Sequence, residues 1–226
     1  MRILGYLRRG LRRPFIGVYL WAIQPKCVGR IDGVAVCDLV ASDLPNSTFL
    51  RPTMKAMELI QKFDPRRYRR VCRQIRYIVN RPLISAGNYE RDGRICNVDY
   101  NKHYASEQPE WRLRSYACLI VHEATHGLLM ERGVNYDNKT WQRVEELCSL
   151  EEYRFARKVD EWWADEYRSP KRFDPSWWKT HRSRGERHGA WLKRLEEQRQ
   201  ELRKKKRERD RERRLQRLRR QGKRLF

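Results

Sequence analysis

The stretch Trp111-Arg-Leu-Arg-Ser-Tyr116-Ala-Cys-Leu-Ile-Val121-His122-Glu123-Ala124-Thr125-His126-Gly127-Leu128-Leu-Met130 decides how this chain is read. Leu113, Tyr116, Ala117, Ile120, Ala124 and Leu128 recur at i, i+3, i+4, i+7 spacing, which predicts a helix with one broad apolar stripe. Leu119 and Leu129 lie off that stripe, so the helix is expected to be buried on more than one side. Gly133 supplies a stop, because a residue without Cβ closes a helix readily in the left-handed conformation. His122-Glu123-Ala124-Thr125-His126 is an HExxH motif inside that helix. Residues i and i+4 share a helical face, so the two imidazoles can reach one Zn²⁺ at about 2.0–2.1 Å. Glu123 projects beside such an ion, where a carboxylate can act as general base on a zinc-bound water. At this His and Glu content the chance expectation of HExxH is about one in a hundred.

A zinc site of this kind needs a third protein ligand. A turn at Asn135-Tyr136-Asp137-Asn138 leads to a second predicted helix over 140–163. If the two helices form an antiparallel hairpin, a rise of 1.5 Å per residue brings positions near 145–149 level with the histidines. Glu145 and Glu146 fit that level. Glu145 lies at the edge of the Val144, Cys148, Phe155 face and Glu146 points away, so Glu145 is the expected third ligand. Glu152 points the same way two turns on. It is a hydrogen-bond partner for an imidazole N–H, or the ligand itself if the hairpin is offset. Glu151 is a weaker choice.

Val121-His122-Glu123-Ala124-Thr125-His126-Gly127, followed by Arg143-Val144-Glu145, Cys148, Glu152 and Phe155-Ala156, resembles the pattern of gluzincin-type zinc metallopeptidases. It is similar, more narrowly, to an uncharacterised group of bacterial metallopeptidase-like proteins. The resemblance covers about residues 70 to 160. It implies zinc held by His122, His126 and a Glu of the next helix, with Glu123 as general base in peptide-bond hydrolysis. It also implies an edge strand ahead of the active-site helix that pairs with extended substrate, for which Arg94–Asn97 is the candidate. The Asp that often follows the third ligand by four residues has no counterpart, since Ser149 and Leu150 stand there.

The remainder of the chain frames this segment. Met54, Met57, Leu59, Ile60 and Phe63 have helical spacing, and Pro65 is expected to end that helix. Val71, Ile75, Tyr77 and Val79 alternate in a way that fits a strand over 68–83. Ser85-Ala86-Gly87-Asn88 and Arg91-Asp92-Gly93 signal turns, and 94–100 reads as a short strand. The fold class expected is α+β: a zincin-like minidomain, with a short antiparallel sheet, the HExxH helix and the following helix, carrying a long basic C-terminal helical extension. Three segments follow: 1–50 packing on the core, a catalytic domain over 51–180, and a tail over 181–226.

The chain has 226 residues and a formal charge of +23. Residues 181–226 hold 20 Lys/Arg against 7 Asp/Glu, a net +13. That tail suits nucleic acid or another polyanion, an anionic membrane surface or an acidic protein. Trp162-Trp163, Trp177-Trp178 and Trp191 lie among basic residues, as in single-strand binders, but packing against the core is the simpler reading. The longest apolar run, residues 15–23, is too short to span a bilayer, so no transmembrane segment is expected. It reads as a core helix or strand. Six scattered cysteines without CxxC spacing and without an export signal suggest reduced, mostly buried thiols and a cytoplasmic location. The partners expected are a protein or peptide substrate and a polyanion on the tail. The contrasting reading is a non-catalytic basic nucleic-acid-binding protein with a structural metal, distinguished by a closed shell of four protein ligands.

Overall fold

A computed structural model of the protein describes residues 16–40, 49–104, 109–137 and 139–168. The protein is α+β, built on a five-stranded mixed sheet. The expected basic tail, 181–226, and the Trp177-Trp178 and Trp191 sites lie outside the described residues. In chain order the elements are α1 (16–23), β1 (Cys27–Ile31), β2 (Val34–Asp38), α2 (Leu50–Phe63), α3 (Pro65–Gln74), β3 (Tyr77–Asn80), β4 (Gly87–Glu90), β5 (Ile95–Val98), α4 (Tyr100–His103), α5 (Pro109–Glu131), α6 (Trp141–Val159) and α7 (Glu161–Tyr167).

The sheet order is β1-β2-β3-β5-β4. β2, β3 and β5 run parallel, while β1 and β4 pair antiparallel with β2 and β5 at the two edges. The sheet is therefore mixed rather than antiparallel. A parallel strand is covered on both faces, and every residue of β2, β3 and β5 is buried. Their side chains alternate between two cores. Val34, Val36, Ile78, Cys96 and Val98 pack with Met57, Ile60, Tyr116, Ile120 and Phe155. Ala35, Cys37, Tyr77, Val79 and Ile95 pack with Ile16, Tyr19, Leu20 and Ile23 of α1. The apolar run at 16–23 is thus a helix covering the second face. Polar residues end the parallel strands: the Asn80 amide donates to Asp38 Oδ1 at 2.9 Å, and Asp99 Oδ2 accepts from the Leu83 amide at 3.0 Å.

Several expectations change here. Pro65 begins a helix instead of ending the region: it occupies the first turn of α3, where its missing N–H costs nothing. Asp64 caps that helix by accepting from the Arg67 amide at 3.1 Å. The alternation over 68–83 is consequently helical up to Gln74, and only Tyr77–Asn80 is strand. Gly87-Asn88, read as a turn, opens β4. β5 is paired on both sides, by β3 and β4, so Arg94–Asn97 is no edge strand. The helix expected over 140–163 breaks at Asp160, which is extended and caps α7 by accepting from the Trp163 amide at 2.9 Å. The structure also joins Cys27 and Cys37, directly opposite on β1 and β2, in a disulfide, while Cys72, Cys96, Cys118 and Cys148 are free. No helix of the described residues is long and apolar enough to cross a membrane.

The reading of α5 as a helix buried on several sides holds. Residues 115–118 and 120–128 are all buried, because α5 meets β4 and β5 on one side and α2, α3 and α6 on others. Gly127 permits a close approach of β4 and α3: a Cβ there would lie 2.8 Å from the Tyr89 hydroxyl. That hydroxyl donates to the Gln74 carbonyl at 2.9 Å, tying β4 and α3 together.

Candidate metal centre

α5 ends at Gly133, whose φ of 81° and the Val134 N to Leu129 O bond of 2.9 Å reverse the chain. α6 then packs back along α5. Its buried face carries Val144, Glu145, Cys148, Phe155 and Ala156. The apolar members fill the core and deliver Glu145 and Cys148, three residues apart, to the histidines.

His122, His126, Glu123 and Glu145 are 7, 7, 3 and 2% exposed. His122 Nε2 and His126 Nε2 lie 3.2 Å apart. Glu145 Oε2 is 3.2 Å from His122 Nε2, and Glu145 Oε1 is 3.5 Å from His126 Nε2. Cys148 is fully buried, and its Sγ lies within 4.8 Å of a ring nitrogen of each histidine. This buried group of His122, His126 and Cys148 could hold a metal ion. Donor separations also fit. A tetrahedral ion with bonds of 2.0–2.3 Å has ligand–ligand edges of about 3.3–3.8 Å, close to the distances between the imidazoles and Glu145.

Around these donors stands a set of hydrogen bonds that fixes them. Glu152 Oε2 is 3.1 Å from His122 Nδ1, and Arg168 Nη1 donates to Glu152 Oε1 at 2.8 Å. A carboxylate on Nδ1 holds the proton there and leaves Nε2 free for an ion. Tyr136 donates its hydroxyl to Glu145 Oε1 at 2.6 Å and sets its ring edge-on to His126. Glu123 Oε2 is buried without a hydrogen-bond partner. An orphaned carboxylate oxygen beside two histidines is costly unless a polar ligand or solvent meets it.

The electrostatics agree. Burial disfavours the charged His122 ring, but its contacts with Glu145 and Glu152 outweigh that and push its pKa up to about 10. Burial would raise Glu145, yet its hydrogen bonds with His122 and His126 hold it well below the usual carboxylate range. For Glu123 burial wins over the attraction of His126 and His122, and its pKa rises. Glu152 is also buried, but Arg168 and His122 bring it down. The raised His122 pKa marks a position that favours positive charge, for which a proton and a metal ion would compete.

Of the residues singled out from sequence, His122, Glu123, His126, Glu145 and Glu152 come together. Glu146 instead pairs with Arg143 at the surface, and Glu151 is held by Arg67, Arg70 and Arg154. Sequence reasoning missed three residues. Cys148 was legible as one turn beyond Glu145 on the same face. Tyr136 lies in a segment read only as a turn. Arg168 follows the helix break at Asp160, which the continuous-helix reading concealed. Comparison of the chain with family models, with curated proteins and with solved structures finds no match.

Proposed function

We propose that this protein is a zinc-dependent peptidase of gluzincin type, with α5, α6 and the sheet as its zincin-like minidomain. The observation that carries this reading is the buried, unpartnered carboxylate oxygen of Glu123 beside two converging imidazoles and a third donor on the next helix. His122, His126 and Glu145 would hold the ion. A zinc ion there would polarise a peptide carbonyl and make a water molecule more acidic. Glu123 takes the proton of the attacking water and returns it to the departing amine, a task suited to a carboxylate whose basicity burial has raised. Glu152 and Arg168 keep the His122 ring oriented. β4, the edge strand beside α5, offers backbone for an extended peptide.

The test is Glu123→Gln in the full chain. Metal content is expected to match the wild type, while hydrolysis of an unfolded protein substrate disappears. His122→Ala is expected to lose both. Proteolysis surviving in metal-loaded Glu123→Gln protein overturns the mechanism. The contrasting reading, a structural metal in a polyanion-binding protein, gains support from Cys148, a further donor beside the histidines. It predicts stoichiometric metal without hydrolysis in the wild type.

A further inference from the structure

We infer that Cys148 is a fourth protein ligand of the metal and that its thiolate keeps the resting site closed; this rests on the metal-site reading above. The argument is geometric. Glu145 and Cys148 are both on the buried face of α6, three residues apart, and both point at the α5 histidines. Two imidazoles and one carboxylate are already near tetrahedral spacing, and the Cys148 Sγ lies within 4.8 Å of a ring nitrogen of each histidine. Drawing the four donors onto one ion would complete a tetrahedron, with the Zn–S bond longer than Zn–N by about 0.2–0.3 Å. On binding, the S–H bond breaks, a metal–sulfur bond forms, and the thiol proton leaves to solvent.

The four donors are not equally fixed. His122 is held by Glu152, and Glu145 by Tyr136. Cys148 is a free thiol, and its Sγ makes no hydrogen bond among the described residues. Its side chain is therefore the least restrained of these and the one that can swing aside when a substrate carbonyl or water needs a position. The closed shell characteristic of structural zinc and the open one characteristic of catalysis become two states of one site, separated by one sulfur.

The experiment loads the metal-free full chain with one equivalent of Co²⁺. The wild type is expected to show a thiolate-to-cobalt charge-transfer band in the near ultraviolet and the intense visible bands of a tetrahedral ion. Cys148→Ser should bind Co²⁺ about tenfold or more weakly and lose the near-ultraviolet band. Cys118→Ala, at another buried free thiol, should keep it. Turnover per bound zinc should be higher in Cys148→Ser than in the wild type. One bound Co²⁺ without the band, or a band that persists in Cys148→Ser, overturns the inference while leaving a metal site. Turnover no higher in Cys148→Ser overturns the closure. No bound Co²⁺ at all removes the metal-site reading and this inference with it. The wild-type spectrum decides the ligand even if the serine variant fails to fold, and Cys148→Ala provides a second variant.

Discussion

Glu151 and Glu152 are neighbours on α6 and serve opposite ends. Glu151 lies among guanidinium groups, with Arg67 at 3.0 Å, Arg70 at 2.7 Å and Arg154 at 2.8 Å. Through Arg67 it joins Asp64, which also holds Lys158 at 2.8 Å. Guanidinium and ammonium groups offer no lone pair to a metal ion, so this network ties α3 to α6 and does nothing else. Glu152 faces His122 and Arg168. An imidazole can give up its proton for an ion, so this second network can exchange its contents. A rotation of about 100° per residue along one helix separates a knot of ion pairs from a network that includes an imidazole.

The largest effect that would break this contrast is expected from Arg67→Ala. It leaves the 1% exposed Asp64 with Lys158 as its remaining cationic partner, and unfolding in urea should lose about 1.5–3 kcal/mol. Metal stoichiometry should not change; a loss of metal would mean the two networks are one. Glu152→Gln comes next. Metal affinity, measured by competition with a chelator, should fall by about 10–100-fold, with a smaller change in unfolding than Arg67→Ala produces.

A pH series separates the two networks again. His122 titrates near 10 when folded against 6.5 for a free imidazole. Its contribution to the stability of metal-free protein is complete below pH 6.5 and is lost as pH rises through about 10. Saturating zinc should remove that alkaline loss, since the ion replaces the proton. Asp64 goes the other way: burial opposes its charge, but Lys158 and Arg67 lower it from 3.8 to about 2. Its contribution is present above pH 3.8 and is lost as pH falls through about 2, whether or not zinc is bound. The unfolding midpoint against pH, with and without zinc, reads both. The smallest effect belongs to Arg73→Ala. Arg73 and Glu131 are both more than half exposed, and their pair should be worth less than about 1 kcal/mol.

Much of the centre was legible because a helix writes its faces into sequence. α5 was bounded within two residues at each end, and the hairpin argument put Glu145 and Glu152 on the right side of α6. The sheet was less readable. β3 and β5 are four residues each and buried on both faces, so they lack the alternation that marks a half-buried strand. α3 misled for a related reason: five arginines in ten residues hide its periodicity, and the signal that sets its start is the Asp64-Pro65 pair. Cys148 was seen as part of the apolar face, since a buried thiol packs like a small hydrophobe until two imidazoles are placed beside it.

The break at Asp160 reaches further than the local chain reversal. Along an unbroken helix, positions 152 and 168 would be about 24 Å apart. Because Asp160 is extended and caps α7, the chain doubles back and Arg168 meets Glu152 at 2.8 Å. A choice made by one capping carboxylate thus sets the charge felt by an imidazole on a different helix. Asp160→Ala would remove the cap at that break, loosen the Arg168–Glu152 pair, and leave Glu152 to answer His122 more nearly alone. Helix punctuation, usually a matter of local stability, here reaches the basicity of His122.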